Sequence, residues 1–532
     1  MDVDLLLRGA TLVDGTGAPP TLADVAIRSD RIVAVGILPD LPAARECDLQ
    51  GLVLCPGFID IHTHSDLTLL HDRAGASKVL QGVTTEVTGN CSISAFPFAS
   101  ERLSLHRDHL DWIGDTAGLD LDWRDLDGYA DQFSNGGAPA LNVAPLVGHG
   151  AIRIAAMGFD QRSATAAELA AMCSLLAESL DQGAFGMSTG LTIVPSSFGS
   201  PDEVCELAKV VAGRDALYAT HSRSPVGEDF PDIRDALSTA TAAGVRLQFS
   251  HLAINEPARW GQADRVVALF EDAESKGLDV GFDVYPYAAS SSPLVQYLPG
   301  WVQEGGTEEL RERMSSASTR ARAEAELSTG FFGGIPWIWD RVVVSRAGAP
   351  DTWCTGLSIE RIADELGVDP AAVVLDLCLR HGNSVDIVLF YRTEEDMSVF
   401  LAHRLAAIGS DGMAFPFEQQ GRKPHPRSFG TYPRILGRYV RDKQTLGLGD
   451  AVHKMTGVVA DRLKIADRGR VEEGAFADLA VFDPVRIVDQ ATFFDPTLPP
   501  IGVVHVLVNG EFVVEDGRQT QSRPGRFLRR AG

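Results

Sequence analysis

Apolar and polar residues alternate in short runs at both ends of the chain. Residues 1–55 read DLLLRGATLVDGTG and then LADVAIRSDRIVAVG, a strand–turn–strand pattern with Asp14-Gly15 and Ser29-Asp30 at the turns. The same character returns in GAFADLAVFDP and GVVHVLVNGEFVVEDG, where Asn509-Gly510 predicts a hairpin. Two β-rich ends around a long middle predict one small β domain, a sandwich assembled from 1–55 and 461–532. Two separate β extensions are the alternative. The closing QSRPGRFLRRAG is basic and aperiodic, and reads as a solvated end.

Over 56–460, short apolar runs alternate with helical stretches, the pattern of βα units. Eight runs read as strands: GFIDIHTHS, GVTTEVTGN, ALNVAPLVGHG, GAFGMSTG, ALYATHS, VRLQFSHLA, LDVGFDVYP and LAAIGSDG. A helical stretch, AELAAMCSLLAESLDQG, precedes the fourth. Eight such units predict an α/β protein built on a closed parallel (β/α)₈ TIM-like barrel. Roughly 110 residues separate the seventh and eighth strands, far more than one helical connection takes. An inserted subdomain is expected at about 290–350.

Composition adds boundaries to this picture. A chain of 532 residues exceeds one simple core, and its 45% apolar and 22% charged residues are those of a globular protein. A formal charge of −25 argues against nucleic acid and anionic membranes as partners, since both demand a basic surface. No apolar stretch is long enough to span a bilayer, and the opening residues carry no signal-peptide pattern. The seven cysteines are scattered, odd in number and without a C-x-x-C pair, which points to a reducing cytoplasm rather than a disulfide framework. A small molecule is the expected partner; whether the chain forms a homo-oligomer is left open.

The chemistry gathers at the strand ends. The first strand ends in Ile61-His62-Thr63-His64, and residues two apart in a strand face one side, so both imidazoles can converge on one point. Cys91 ends the second strand, His221 the fifth, His251 the sixth and Asp411 the eighth. Each has a bland alternative: a free cysteine is usually core filler, and Ser-Asp-Gly is a common turn. Six such residues at the carboxyl rim, where barrel enzymes build their sites, favour a metal centre. Imidazole, thiolate and carboxylate suit zinc better than magnesium or calcium. One thiolate can bridge two metals, so one or two zinc ions are expected. Cys91, His221 and His251 would form a tight site, with His62, His64 and Asp411 supplying a second. Asp411 is placed to carry a proton from a zinc-activated water to a leaving nitrogen.

His149, in Gly148-His149-Gly150, ends the third strand and is a candidate for hydrogen-bonding an oxyanion or for ordering a loop. Tyr285 ends the seventh and can line the pocket or pack. Arg223, two residues past His221, can point into the site or serve as an ion-pair partner. His106, His109, His381, His403, His453 and His505 lie away from the strand ends and read as structural or exposed.

This constellation resembles the amidohydrolase superfamily and, within it, the D-aminoacylase (N-acyl-D-amino-acid deacylase) family. The resemblance runs over nearly the whole chain, through PGFIDIHTHSD, GVTTEVTGNC, PLVGHGAIR, GMSTGL, DVYPY, IGSDG and HPRSFGTYPR. It implies Cys91 where many amidohydrolases carry a carboxylated lysine, and an insertion before the last strand. It also implies Arg427, in His425-Pro426-Arg427, as the arginine that grips a substrate carboxylate, a task that suits a guanidinium fork. Three positions depart from the family. Ser92 follows the cysteine in place of glycine, Ala253 follows Ser-His-Leu in place of lysine, and Thr192-Ile193-Val194 stand where a tyrosine often precedes the prolines. The last two are candidate substrate-contacting positions, so the departures bear on substrate rather than on metal chemistry.

The expected activity is zinc-dependent hydrolysis of a linear amide, deacylating an N-acyl-D-amino acid or a related N-acyl compound. Cyclic amide or imide opening, ester or lactone cleavage, deamination and amide synthesis by reversal are alternatives within the superfamily. A non-catalytic barrel scaffold is the alternative outside it.

Overall fold

The computed structural model describes residues 3–223, 226, 229–419 and 421–531. Its centre is a ring of eight parallel strands. In order they are Phe58–Asp60, Val83–Thr88, Asn142–Pro145 continuing into Val147–Gly148, Gly186–Gly190, Leu217–His221, Arg246–Phe249, Val280–Val284 and Ala406–Ile408. Each pairs in parallel with the next, and a parallel bridge between Thr63 and Gly412 closes the eighth onto the first. Seven of the eight strands are buried along nearly their whole length, as a parallel wall clothed by helices requires. Ile59, Val87, Ala144, Leu217 and Ala407, from the first, second, third, fifth and eighth strands, pack with Ile61 as one cluster in the barrel interior. The outer helices bring their own stop and start signals. The helix Ala166–Asp181 opens on a capping box in which Thr165 accepts from Glu168 N and Glu168 accepts from Thr165 N.

Both chain ends join a single nine-stranded sheet. Val53–Pro56 pairs with Leu5–Leu12 on one side and with Leu479–Phe482 on the other, so the two termini are stitched together rather than forming separate extensions. Asn509 and Gly510, both at positive φ (49° and 84°), make the two-residue turn that joins Val503–Val508 to Glu511–Glu515.

Between the seventh and eighth barrel strands lies a unit with its own core. Its sheet has Asp386–Leu389 in the centre, antiparallel to Ser290–Pro293 and to Val342–Arg346. Helices Thr307–Met314, Ala317–Ser328, Ile359–Leu366 and Pro370–His381 cover it, and Leu310, Leu327, Ile362, Val374 and Ile387 share one cluster. The insertion expected at about 290–350 therefore runs on to Leu389, because the central strand of its sheet comes last in sequence.

The basic tail is not a solvated end. Leu528 N donates to Val143 O and Val143 N to Arg526 O, adding the tail beside the third barrel strand, while Phe527 packs against Tyr129 and Phe133. One aromatic residue among the charges suffices to anchor it. Among the described residues no helix is long and apolar enough to cross a membrane.

Candidate metal centre

The six residues at the strand ends come together. One ligand atom from each of His62, His64 and Cys91 lies within 4.8 Å of the others, and the same holds for Cys91, His221 and His251 and for His62, His251 and Asp411. Cys91 Sγ is 3.3 Å from His62 Nε2 and 3.5 Å from His251 Nε2, and His221 Nδ1 is 3.1 Å from His251 Nε2. Asp411 Oδ1 lies 3.0 Å from His64 Nε2 and 3.5 Å from His62 Nε2. The grouping differs from the simple division into two triads, since Cys91 belongs with both histidine pairs and Asp411 reaches across to His251.

Local backbone strain marks the same residues. Cys91 (φ 51°), Ser92 (φ 72°), His251 (φ 38°) and Asp411 (φ 52°) all occupy the left-handed region that side chains with a Cβ usually avoid. The first strand stops at Asp60, so His62 and His64 are carried by the loop beyond it rather than by strand alternation. That loop is tied down by Asp60, whose Oδ1 accepts from Ser410 N at 2.8 Å and whose Oδ2 accepts from the buried Lys78 Nζ at 2.9 Å. Glu86 Oε1 lies 2.8 Å from the same ammonium. Strain concentrated at one site and held by surrounding bonds is characteristic of functional loops.

Neighbouring side chains orient the donors. Asp283 Oδ1 lies 3.1 Å from His62 Nδ1, leaving Nε2 to face Cys91, and also accepts from His251 N at 2.8 Å. Thr192 Oγ1 lies 2.6 Å from His221 Nε2 and accepts from Gln296 Nε2 at 2.8 Å, so the Nδ1 of His221 faces the centre. Carboxylate and hydroxyl partners on the far nitrogen are what metal-binding imidazoles require. Neither Asp283 nor Gln296 is singled out by the sequence motifs. Asp283 stands two residues before Tyr285 in DVYPY, and that spacing from a strand-end residue was the available signal. Gln296 lies in the insertion and gave none.

Before any metal binds, the donors divide by protonation. Burial lowers His64 and His221 to about 4 and His251 further, so their lone pairs are free at neutral pH. His62 goes the other way: burial opposes its charge, but Cys91, Asp283 and Asp411 outweigh it. Burial raises the Cys91 thiol. Asp411 is held well below the usual carboxylate range, because Arg427 and His62 overcome the cost of burial. His64 Nδ1 is buried without a hydrogen-bond partner. A set of nitrogen and sulfur donors with one carboxylate, one donor nitrogen unpartnered, fits zinc.

The candidate substrate residues separate. Tyr285 and Arg223 line the cavity that opens from the centre, together with Trp112, Ala253, Asn255 and Arg392. Arg223 is engaged in its wall, donating to Gly199 O at 2.8 Å and standing 3.3 Å from Asp235 Oδ2. Arg427 lies behind Asp411: its Nη1 donates to Asp411 Oδ2 at 2.7 Å and its Nη2 to Ser291 O at 3.2 Å. His149 is not at the cavity. It is buried between Ser196 Oγ (2.7 Å) and Glu203 Oε1 (2.9 Å), with Arg153 on the same carboxylate. The third strand delivers it into the following helix, His149–Met157, which faces it away from the cavity.

The chain is similar to known proteins along nearly its whole length. The amidohydrolase family model matches residues 45–206 and 348–514. The chain is 34% identical to N-acyl-D-glutamate deacylase of Alcaligenes xylosoxydans xylosoxydans, over 99% of this chain and 97% of that one. It is 34% identical to D-aminoacylase of the same organism, over 99% and 98%. The crystal structure of N-acyl-D-glutamate deacylase from Bordetella bronchiseptica, complexed with zinc and a phosphonate inhibitor that mimics the tetrahedral intermediate, superposes with a TM-score of 0.84. That match is 31% identical and covers 99% of this chain and 100% of the other.

Proposed function

Because the chain belongs to the amidohydrolase family, we propose that it is a zinc-dependent deacylase that cleaves the linear amide of an N-acyl-D-amino acid. The observation that carries this reading is the pair of donor triads sharing Cys91, with Asp411 against both histidine pairs at the mouth of one cavity. His62, His64, Cys91, His221, His251 and Asp411 would hold one or two zinc ions. Zinc in that position supplies an acidified water and a Lewis acid for the amide carbonyl.

The remaining steps belong to the protein. Asp411, ionised at neutral pH, accepts the proton that water loses as its oxygen bonds to the carbonyl carbon. The same carboxyl group returns that proton to the nitrogen as the carbon–nitrogen bond breaks, leaving a free amine and a carboxylic acid that then ionises to solvent. Arg427 fixes the orientation of Asp411 and, beside Tyr285, offers positive charge to the substrate carboxylate. Asp283 and Thr192 hold the imidazoles of His62 and His221 in position. All seven cysteines are unpaired, which supports work in a reducing, cytoplasmic compartment.

The test is elemental analysis of the purified protein, paired with turnover of N-acyl-D- and N-acyl-L-amino acids before and after chelation. Zinc near one or two per chain and chelator-sensitive release of a D-amino acid are expected. Absence of stoichiometric metal from unchelated protein would overturn the reading.

A further inference from the structure

Among the described residues, the cavity holds a cation, Arg392, that is paired with no carboxylate. Arg392 follows the central strand of the inserted sheet and lines the cavity with Tyr285, Ala253 and Asn255. Its Nε donates to Asn255 Oδ1 at 3.0 Å, a neutral acceptor, and among the described residues no carboxylate lies within ion-pair distance of it. Burial pulls its pKa below the ordinary arginine value. Two other arginines here each have a carboxylate partner, Arg223 in Asp235 and Arg427 in Asp411, the latter through Nη1. A half-buried guanidinium without a counter-ion carries a desolvation cost, part of which is recovered when an anion arrives.

Position makes the anion specific. The guanidinium carbons of Arg392 and Arg427 lie 4.5 Å and 4.9 Å from the centre of the same Tyr285 ring. The Tyr285 hydroxyl is buried, close enough to Arg427 to feel its charge, yet makes no hydrogen bond of normal geometry. One small dicarboxylate can therefore reach both guanidinium groups around one phenol. Ala253 lines the same cavity without charge, so the cation on this side of it is delivered from the insertion.

We propose that Arg392 is a specificity-determining residue that binds a second, side-chain carboxylate, making N-acyl derivatives of acidic D-amino acids the preferred substrates. This rests on the deacylase reading above and adds the side-chain class.

The experiment compares N-acetyl-D-glutamate with N-acetyl-D-glutamine on the zinc-loaded full chain and on its Arg392→Gln and Arg392→Lys variants. A charge-assisted contact predicts a glutamate preference in kcat/KM of roughly 10- to 100-fold, carried mainly by KM. Arg392→Gln is expected to collapse that ratio toward one, and Arg392→Lys to keep part of it. Equal turnover of both substrates by the wild type, or an unchanged ratio in Arg392→Gln, would overturn the assignment. If neither amide is cleaved, the deacylase reading fails, and Arg392 is judged by calorimetric binding of D-glutamate against D-glutamine. A preference that disappears in Arg392→Gln supports it; equal binding by the wild type rejects it.

Discussion

Asp283 Oδ1 stands 3.1 Å from His62 Nδ1, and the same oxygen accepts the backbone N–H of His251. One buried carboxylate thus sets the direction of one imidazole and braces the strained backbone that carries another. Replacing Asp283 with Ala is expected to weaken zinc binding about 10- to 100-fold, the usual effect of losing such a partner. Competition against a graded series of chelators measures it. Unaltered zinc affinity would show that His62 needs no help to face the centre.

Asp411 and Arg427 act as a pair but fail differently. Asp411→Asn is expected to lower kcat by about 100- to 10,000-fold, the span of general acid–base contributions, while zinc remains bound. Arg427→Met is expected to raise KM by roughly tenfold or more through loss of a charged hydrogen-bond donor. If Arg427→Met lowers kcat and leaves KM alone, the arginine serves Asp411 and does not touch substrate.

Ser92 occupies a left-handed conformation (φ 72°), and its hydroxyl is buried without a partner. Glycine takes that conformation without the Cβ clash. Ser92→Gly is expected to stabilise the fold by about 1 kcal/mol, read as a higher midpoint in urea unfolding. A lower midpoint would mean that the hydroxyl or the Cβ makes a contact worth more than the relief.

Glu394 joins the helix it opens, Glu394–Ala402, to Arg438, Tyr439 and Lys443. Against the cost of burial, these partners lower its pKa to about 2 from the ordinary 4.5. A lowered folded-state value means the stabilisation is complete above about 4.5 and is lost as pH falls through about 2. The wild type is therefore expected to lose stability relative to Glu394→Gln over that window, by about 1 kcal/mol after solvent screening. Parallel acid-unfolding curves for the two proteins would remove Glu394 from the linkage.

Much of this molecule is written locally. The eight barrel strands are legible because each is a short apolar run ending in small or polar residues, and burial on both faces leaves little other use for such a run. His62, His64, Cys91, His221, His251 and Asp411 are legible because barrel topology sends every strand end to one rim, so position along the chain already implies proximity. The Asn509-Gly510 turn is legible because its dihedrals demand those residues.

Other relationships required the tertiary structure, for a common reason: they join segments whose separation carries no periodic signal. Asp283 reaching back to His62, Gln296 reaching Thr192, and Phe527 docking on Tyr129 each cross more than a hundred residues. His149 has the strand-end position of a site residue, yet the helix that follows packs it onto Glu203. Arg392 sits in no motif at all. Sequence determined the barrel and its candidate metal donors, because the fold's repeat fixes where both lie. Only the folded chain decided which cation is left facing the cavity, because that depends on which arginines have already found a carboxylate.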